Sequence, residues 1–331
     1  MQRMKHIMKK STINDIAKRA GVSSCTVSRV FNNHPYVKEE IRSRVLDAAM
    51  AMEYNPKSTA RRDTISVILP GKKTLFPGVY EQSLVNSLFS VAGELNMNLE
   101  FLTGDKIDRI YKNFSKAVIA AVYHEKDAEI LHSIKNIPVL TVNCIIRGCN
   151  YVCTDHEGGI YDAVCHLIEK GHRKIALCFA SFEQNIAWGE KERLKGYRRA
   201  LREHGIPFRR ELVNYGTAEE PDRTAHFITQ TDPDALIVSG ESLTMPVLYT
   251  LSRIRRKIPD DISVVTFYSH GISPWLIPEP TCICQDFELL AKTVMEKTRA
   301  LILGETCRVE VLLKNRFIEG GSVRSAPRTE R

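Results

Sequence analysis

Apolar and polar positions divide the chain into two regimes. Up to about residue 55 the apolar residues recur at helical spacing. Ile13, Ile16, Ala17 and Ala20 fall on one helical face; Val27, Val30 and Phe31 fall on another; Val37, Ile41, Val45, Ala48, Ala49 and Met52 form a third stripe. Thr12, three residues before Asp15, has the shape of a capping box with Asp in place of Glu. Gly21 can supply the positive φ that ends a helix, and Ser23 can cap the next. The pattern predicts helices over about 12–20, from Ser23 onward, and over about 38–53, closed on one small core. The first two are joined so tightly that they must cross steeply, with small Ala17 and Ala20 allowing the approach. Ser24, Cys25, Ser28 and Arg29 are then left on the outer face near the start of the second helix, where a helix-turn-helix keeps base-reading side chains.

From Thr64 onward the period changes. The β-rich runs ISVIL, LEFLT, AVIAAVY, PVLTVN, YVCTD, KIALCFA, ALIVS, SVVTFY and CICQ alternate with helical stretches near 81–96, 125–136, 158–170, 190–204, 243–256 and 286–303. Repeated strand, helix, strand implies parallel sheets with helices on both faces. The length suits two such units of about 100–130 residues each, behind an all-α headpiece.

Charge sharpens this division. Residues 1–62 carry 13 Lys and Arg against 5 Asp and Glu, whereas the other 269 residues carry 34 of each, so the whole net +8 sits in the first fifth of the chain. Such segregation is the footprint of a segment meant for a polyanion. No apolar run reaches the roughly 18 residues of a membrane span, and the basic start lacks the apolar stretch of a secretory signal, so a cytoplasmic protein is expected. The nine cysteines lie mostly in apolar segments and read as reduced core thiols. Cys282 and Cys284 share a strand face but have no second Cys or His pair at zinc spacing, so neither metal nor cofactor is expected.

The run T-I-N-D-I-A-K-R-A-G-V-S-x-x-T-V-S-R-V-F-N, followed by Y-V, E-E and Y-N-P ending at Pro56, resembles the DNA-binding headpiece of the LacI/GalR family of bacterial transcription regulators. The likeness continues in VCTDHEGG, HLIEKGHRKIA, ERLKGY, IPDDISVVTF and PEPTCICQD, and so covers most of the chain. The resemblance implies a periplasmic-binding-protein-like core of two doubly wound subdomains joined by three crossovers, about 64–157 plus 286–313 and about 158–285 plus 314–323, behind a headpiece at 1–56 and a short linker at 57–63. It also implies a homodimer on an inverted-repeat operator, with a small-molecule effector, such as a sugar, in the cleft. Ser24, Cys25 and Arg29 occupy its base-reading positions, and Arg29 can pair bidentately with guanine. Thr12, Ser23, Thr26, Ser28 and Asn32, with Arg61 and Arg62, suit the DNA backbone.

In the core, the resemblance carries an effector role to Arg193 of R-x-x-G-aromatic, to Gln285 at a crossover and to Tyr80 in the first loop. The plainer reading of Arg193 is a salt bridge with Glu190 or Glu192. Trp188 and Trp275 either stack on a ligand or pack in the core. Two positions depart from sugar-responsive relatives: Gly240-Glu241 stands for Asn-Asp, and Phe267-Tyr268-Ser269 for Phe-Asp-Asp, which puts Glu241 and the Tyr268 phenol at the site. A third departure is the junction STARRDTISVI. Relatives continue past Ala-Arg with Ser-Leu into a hinge helix whose leucine wedges the minor groove; here Asp63 holds the leucine position and roughly six residues are missing.

Enzyme readings find little. PGKKT at 70–74 fails the phosphate-loop spacing, no G-x-G-x-x-G, G-x-S-x-G or H-E-x-x-H occurs, and Asp155-His156 aligns with a structural strand-to-helix turn. The expectation is a sequence-specific DNA-binding regulator, a repressor and not an enzyme. The alternative is a cytoplasmic solute-binding module that keeps a vestigial headpiece.

Overall fold

A computed structural model describes residues 11–324 apart from 32, 33, 35, 53, 55–63, 70–78, 104–108, 111–114, 217–220 and 269–275. The headpiece is α1 (Ile13–Ala20), α2 (Ser24–Phe31) and α3 (Glu39–Ala51). Thr12 and Asp15 form the reciprocal capping box, and Gly21 ends α1 at φ 64°, with its N–H on the Ala17 carbonyl. Ile16, Ala17, Ala20, Val27, Val30, Phe31, Val45, Ala48 and Ala49 close one apolar cluster. Tyr54 stacks on Phe31, ring centres 5.6 Å apart, and Ser11 Oγ donates to the Met52 carbonyl, so both ends of the headpiece are fastened.

The core follows as β1 (Thr64–Leu69), α4 (Val79–Glu94), β2 (Asn98–Thr103), β3 (Ala117–Ala121), α5 (Ala128–Ser133), β4 (Val139–Val142) and β5 (Asn150–Thr154). Then come α6 (His156–Glu169), β6 (Ile175–Cys178), α7 (Trp188–Glu203), β7 (Val213–Asn214), α8 (Pro221–Thr231), β8 (Ala235–Val238), α9 (Glu241–Arg253), β9 (Ser263–Tyr268) and β10 (Thr281–Cys284). The chain ends in α10 (Phe287–Leu303), β11 (Glu310–Leu313) and β12 (Arg316–Ile318). The strands make two six-stranded sheets, β11-β5-β4-β3-β1-β2 and β12-β10-β9-β8-β6-β7. All pairs are parallel except β10 with β12.

Alternate residues of one strand enter different clusters, as a sheet covered on both faces requires. Ala235 and Ile237 join one apolar layer of the second sheet, Leu236 and Val238 the other. The short elements β7, α8, β11 and β12 were not predicted. Three of them are strands of two to four residues, too short to show a period. The helix expected near 125–136 begins as a single 3-10 turn at Glu125–Asp127. Seven of the nine cysteines are buried or half-buried, but Cys25 and Cys307 are exposed, which corrects the reading of the set as core thiols.

The chain passes between the sheets three times: between β5 and α6, between β10 and α10, and between β11 and β12. These passages are bound to one another. Asp155 N donates to the Leu313 carbonyl at 2.8 Å, Asn315 Nδ2 donates to the Asp155 carbonyl at 2.6 Å, and Gln285 Nε2 donates to Thr154 Oγ1 at 2.6 Å. No described helix is long and apolar enough to cross a membrane.

Candidate nucleic-acid interface and ligand cleft

On α2 each residue advances about 100° around the axis, so Val27, Val30 and Phe31, all buried, hold the helix down on one side. Ser24, Cys25 and Arg29 are exposed on the other, and Thr26 and Ser28 are half-buried. Ser23 Oγ accepts the Thr26 N–H at 3.1 Å and lies 2.9 Å from the Thr26 hydroxyl, which caps the helix and fixes where Ser24 and Cys25 begin. Thr12 is exposed at the start of α1. The helix thus presents an arginine fork, a hydroxyl and a thiol, with no carboxylate in its own sequence SCTVSRVF. Asn32, Arg61 and Arg62 lie outside the described residues, as does the whole junction 57–63.

The cleft is built where α6 and α7 meet. These helices approach closely because residue 196 is glycine: a Cβ there would stand 2.1 Å from the Glu157 carbonyl oxygen. One residue on, the buried Tyr197 donates its hydroxyl to the Ile175 carbonyl at 2.8 Å, locking α7 to the sheet. The R-x-x-G-aromatic element is therefore first a packing device, and it sends Arg193, one turn back, into the cleft.

Arg193 makes no ion pair with Glu190 or Glu192, contrary to the plain reading. Glu190 accepts the backbone N–H groups of Ala180, Ser181 and Ala187, and Glu192 pairs with Lys195. Arg193 Nη1 instead donates to the Ser239 carbonyl at 2.9 Å, Nη2 donates to His156 Nδ1 at 3.1 Å, and the guanidinium lies 3.8 Å over the Phe267 ring. A guanidinium only donates, so His156 is neutral with its proton on Nε2. Burial, and then the Arg193 charge, push the His156 pKa well below its ordinary value. Burial lowers Arg193 itself to about 10, against the pull of Glu190 and Glu241.

A second set runs along the crossovers. Gln285, buried, donates to Thr154 Oγ1; Thr154 donates its N–H (2.8 Å) and hydroxyl (3.1 Å) to Asn143 Oδ1; Asn143 Nδ2 donates to the Tyr80 hydroxyl at 3.0 Å. Burial raises the Tyr80 pKa far above its ordinary value, so the phenol stays protonated. Glu241, buried at the start of α9, lies close enough to bias both Tyr80 and Arg193 electrostatically. Arg193, Tyr80 and Glu241 therefore converge, with Gln285 tied in through Thr154 and Asn143. Tyr268 ends β9 beside Cys284, and its side chain, like Trp275, lies outside the described residues.

Trp188 is where the two subdomains touch. It is 8% exposed and packs in the cluster of the first sheet with residues such as Ile68, Cys144 and Cys153, although it opens α7 of the second. Its N–H donates to the Tyr123 carbonyl at 2.8 Å, its ring meets His156 edge-on at 5.8 Å, and Lys191, one turn on, pairs with Glu125 at 3.1 Å. Helices α4 and α9 also come into contact across the cleft. Sequence reasoning missed His156, Asn143, Thr154 and Phe267. The Asp155-His156 pair was visible, but only its capping half, Asp155 Oδ1 on the Gly158 N–H at 2.7 Å, is a property of the turn. Among the described residues no group of three or more His, Cys, Asp or Glu is placed to hold a metal.

Residues 12–57 match the profile of bacterial regulatory proteins of the lacI family, and residues 164–323 match that of a periplasmic binding protein-like domain. Catabolite control protein A of Priestia megaterium is 26% identical over 83% of this chain and 87% of its own. The probable HTH-type transcriptional repressor ExuR of Bacillus subtilis (strain 168) is 26% identical over 95% of this chain and 98% of its own. Among solved structures, a complex of the transcriptional regulator CelR with cellobiose aligns with a TM-score of 0.69 at 25% identity, over 95% of this chain and all of that one. The lac repressor dimer bound to operator and the anti-inducer ONPF shares the fold, with a TM-score of 0.70 at 22% identity, over 96% of this chain and 100% of that one. With a capped second helix exposed on one face ahead of a two-sheet core, and these likenesses from end to end, the chain belongs to the lacI family of bacterial regulatory proteins and is a DNA-binding transcriptional regulator.

Proposed function

We propose that the chain is a homodimeric cytoplasmic repressor, without catalytic activity, whose affinity for an inverted-repeat operator is set by a small molecule held between the two subdomains. Its parts are a headpiece at 1–56, a short linker at 57–63 and an effector-binding, dimerising core at 64–331. Ser24, Cys25 and Arg29 read bases; Thr12, Ser23, Thr26, Ser28 and Asn32, with Arg61 and Arg62, hold the backbone. Arg193, Gln285, Tyr80, Trp188, Tyr268 and Glu241 serve the effector, a sugar or sugar derivative. The observation that carries the first half is the exposure of Ser24, Cys25 and Arg29 opposite a buried apolar face. The second half rests on the convergence of Arg193, Tyr80 and Glu241 between the sheets.

Control requires the effector to bind two arrangements of the core unequally, because equal binding shifts nothing. The contacts of Trp188 with Tyr123 and of Lys191 with Glu125 span the subdomains and so differ between a closed and an opened core. At the junction, Asp63 cannot act as an apolar wedge and is repelled by phosphates, so a less bent operator is favoured, with a short tether passing core motion to the headpieces. The test is selection of operators from a randomised inverted-repeat pool, followed by titration with sugars and sugar phosphates, cellobiose first. A preference for the selected site of about 10³-fold or more over random DNA, altered by one ligand class, is expected. No preference at all would favour the solute-binding module with a vestigial headpiece.

A further inference from the structure

Most cysteines of this chain are covered by the fold, but Cys25 stands exposed on α2. Its place on the helix is particular. Counting about 100° per residue, Cys25 and Arg29 each fall about 160° from Val27 and about 40° from one another. The pair therefore runs down the middle of the face opposite the buried Val27, Val30 and Phe31, with Ser24 and Ser28 to one side and Thr26 to the other. The Cβ atoms of residues four apart on a helix lie about 5–6 Å from each other, less than two base steps of about 3.4 Å. The cap that Ser23 Oγ makes on the Thr26 N–H at 3.1 Å fixes the turn that carries Cys25.

The two side chains suit different features of a base edge. A thiol is a weak donor and a weak acceptor, and a free cysteine behaves as a small apolar side chain. In the major groove the apolar feature of a base edge is the C5-methyl group of thymine, whereas guanine O6 and N7 accept two hydrogen bonds side by side. The guanidinium fork of Arg29 matches the guanine, and the Cys25 thiol matches the methyl group. The sequence SCTVSRVF has no Asn or Gln to pair adenine and no Asp or Glu to accept from the cytosine amine. Packing does not account for Cys25 either, since it takes no part in the apolar cluster of the headpiece.

We infer that in each half-site of the operator Cys25 selects a thymine by its C5-methyl group, within about two base pairs of the guanine taken by Arg29. The inference rests on the proposed reading of bases by α2 and adds which bases stand at its two central side chains.

The experiment selects operators with the full chain from a randomised inverted-repeat pool, under reducing conditions and at one salt concentration. The selected half-site should hold a T·A pair within about two base pairs of a G·C pair. Replacing that thymine by uracil removes the methyl group alone and should weaken binding about fourfold, the worth of one buried carbon. Where cytosine is put in its place, 5-methylcytosine should bind better than cytosine by about the same factor. Cys25→Ser exchanges the thiol for a hydroxyl and should bring both ratios to about one, with the thermal midpoint unchanged because the side chain is exposed. Cys25→Ala keeps an apolar surface and should retain part of the preference, and Arg29→Ala should leave the methyl ratios in place. Equal binding of thymine and uracil sites by the natural chain, or ratios that Cys25→Ser leaves unchanged, overturns the assignment of Cys25, while a selected operator still keeps α2 as the base reader. Selection of no operator at all overturns that reading and this inference together.

Discussion

The headpiece and the cleft keep their polar side chains in opposite states. On α2, Ser24, Cys25 and Arg29 face solvent, and the fold spends Val27, Val30 and Phe31 on holding them there. In the cleft, Arg193, Gln285 and Tyr80 are already bound to Ser239, His156, Thr154 and Asn143. A duplex can meet the first set without breaking a protein contact. A ligand can take the Arg193 Nη groups only by exchanging partners, and each buried group left unpaired in the exchange costs roughly 1–3 kcal/mol; Arg193 Nε and His156 Nε2, buried beside them, have no hydrogen-bond partner. On the proposed function, the α2 face is therefore ready-made, whereas occupancy of the cleft at the Arg193 Nη groups would be coupled to rearrangement, which is what a switch requires.

The comparison breaks most easily at Trp188. Trp188→Ala removes an indole that one subdomain inserts into the other's core, and large-to-small core changes of this kind cost about 3–5 kcal/mol. The thermal midpoint should fall by several degrees without any ligand present. An unchanged midpoint with weaker ligand binding would leave Trp188 its proposed effector role but remove its role as a packing anchor. Arg29→Ala should leave the midpoint alone, because the side chain is exposed. It should remove about 1–3 kcal/mol of discrimination at one base position per half-site, read from relative affinities for single-base operator variants. Uniform weakening over all sequences would instead make Arg29 a phosphate contact.

How much of this was legible beforehand follows the same divide. The headpiece could be read almost residue by residue, since capping, a left-handed glycine and helical periodicity act over four residues or fewer, within the reach of sequence logic. The strands buried on both faces, such as AVIAA and ALIV, were equally plain. The partners of Arg193 were not. Ser239, His156 and Phe267 come from three other elements, and only the closed fold brings them to one guanidinium. Local reasoning offered Glu190 and Glu192 because they are near in sequence, yet Glu190 is used up by three backbone N–H groups, those of Ala180 and Ser181 in the loop after β6 and that of Ala187 at the N-cap of its own helix.

His156 sharpens the comparison by pH. Its folded pKa is depressed by burial and by Arg193, whereas an opened or unfolded chain restores it to about 6.5. Above pH 6.5 the residue is neutral in both states and contributes no slope. Below 6.5 the opened chain binds a proton that the closed one refuses, so stability falls, with a limiting slope of about 1.4 kcal/mol per pH unit. Because burial also lowers the pKa of His166, which titrates over the same range when the chain unfolds, the measurement is a difference: unfolding midpoints of the natural chain and of His156→Asn between pH 7.5 and 5.5. The natural chain should lose about 1 kcal/mol more. Parallel curves would mean that the His156 ring is not held neutral in the cleft.

The smallest effect belongs to the pair that most visibly bridges the subdomains. Lys191 and Glu125 meet at 3.1 Å, but their side chains are 44% and 59% exposed, so water and salt screen them. Exposed pairs contribute about 0.2–1 kcal/mol. Lys191→Ala should therefore shift the balance between closed and opened cores by no more than about fivefold, and the shift should vanish in high salt, where the Debye length is about 3 Å at 1 M. The readout is effector affinity at low and high salt in Lys191→Ala, Glu125→Ala and the double variant. Non-additivity confined to low salt is the expected result. A coupling that survives high salt would mean that closure is driven by this surface contact as well as by Trp188, and the contrast between a solvent-ready headpiece and a cleft whose side chains largely bind one another would have to admit a third, electrostatic latch on the outside of the molecule.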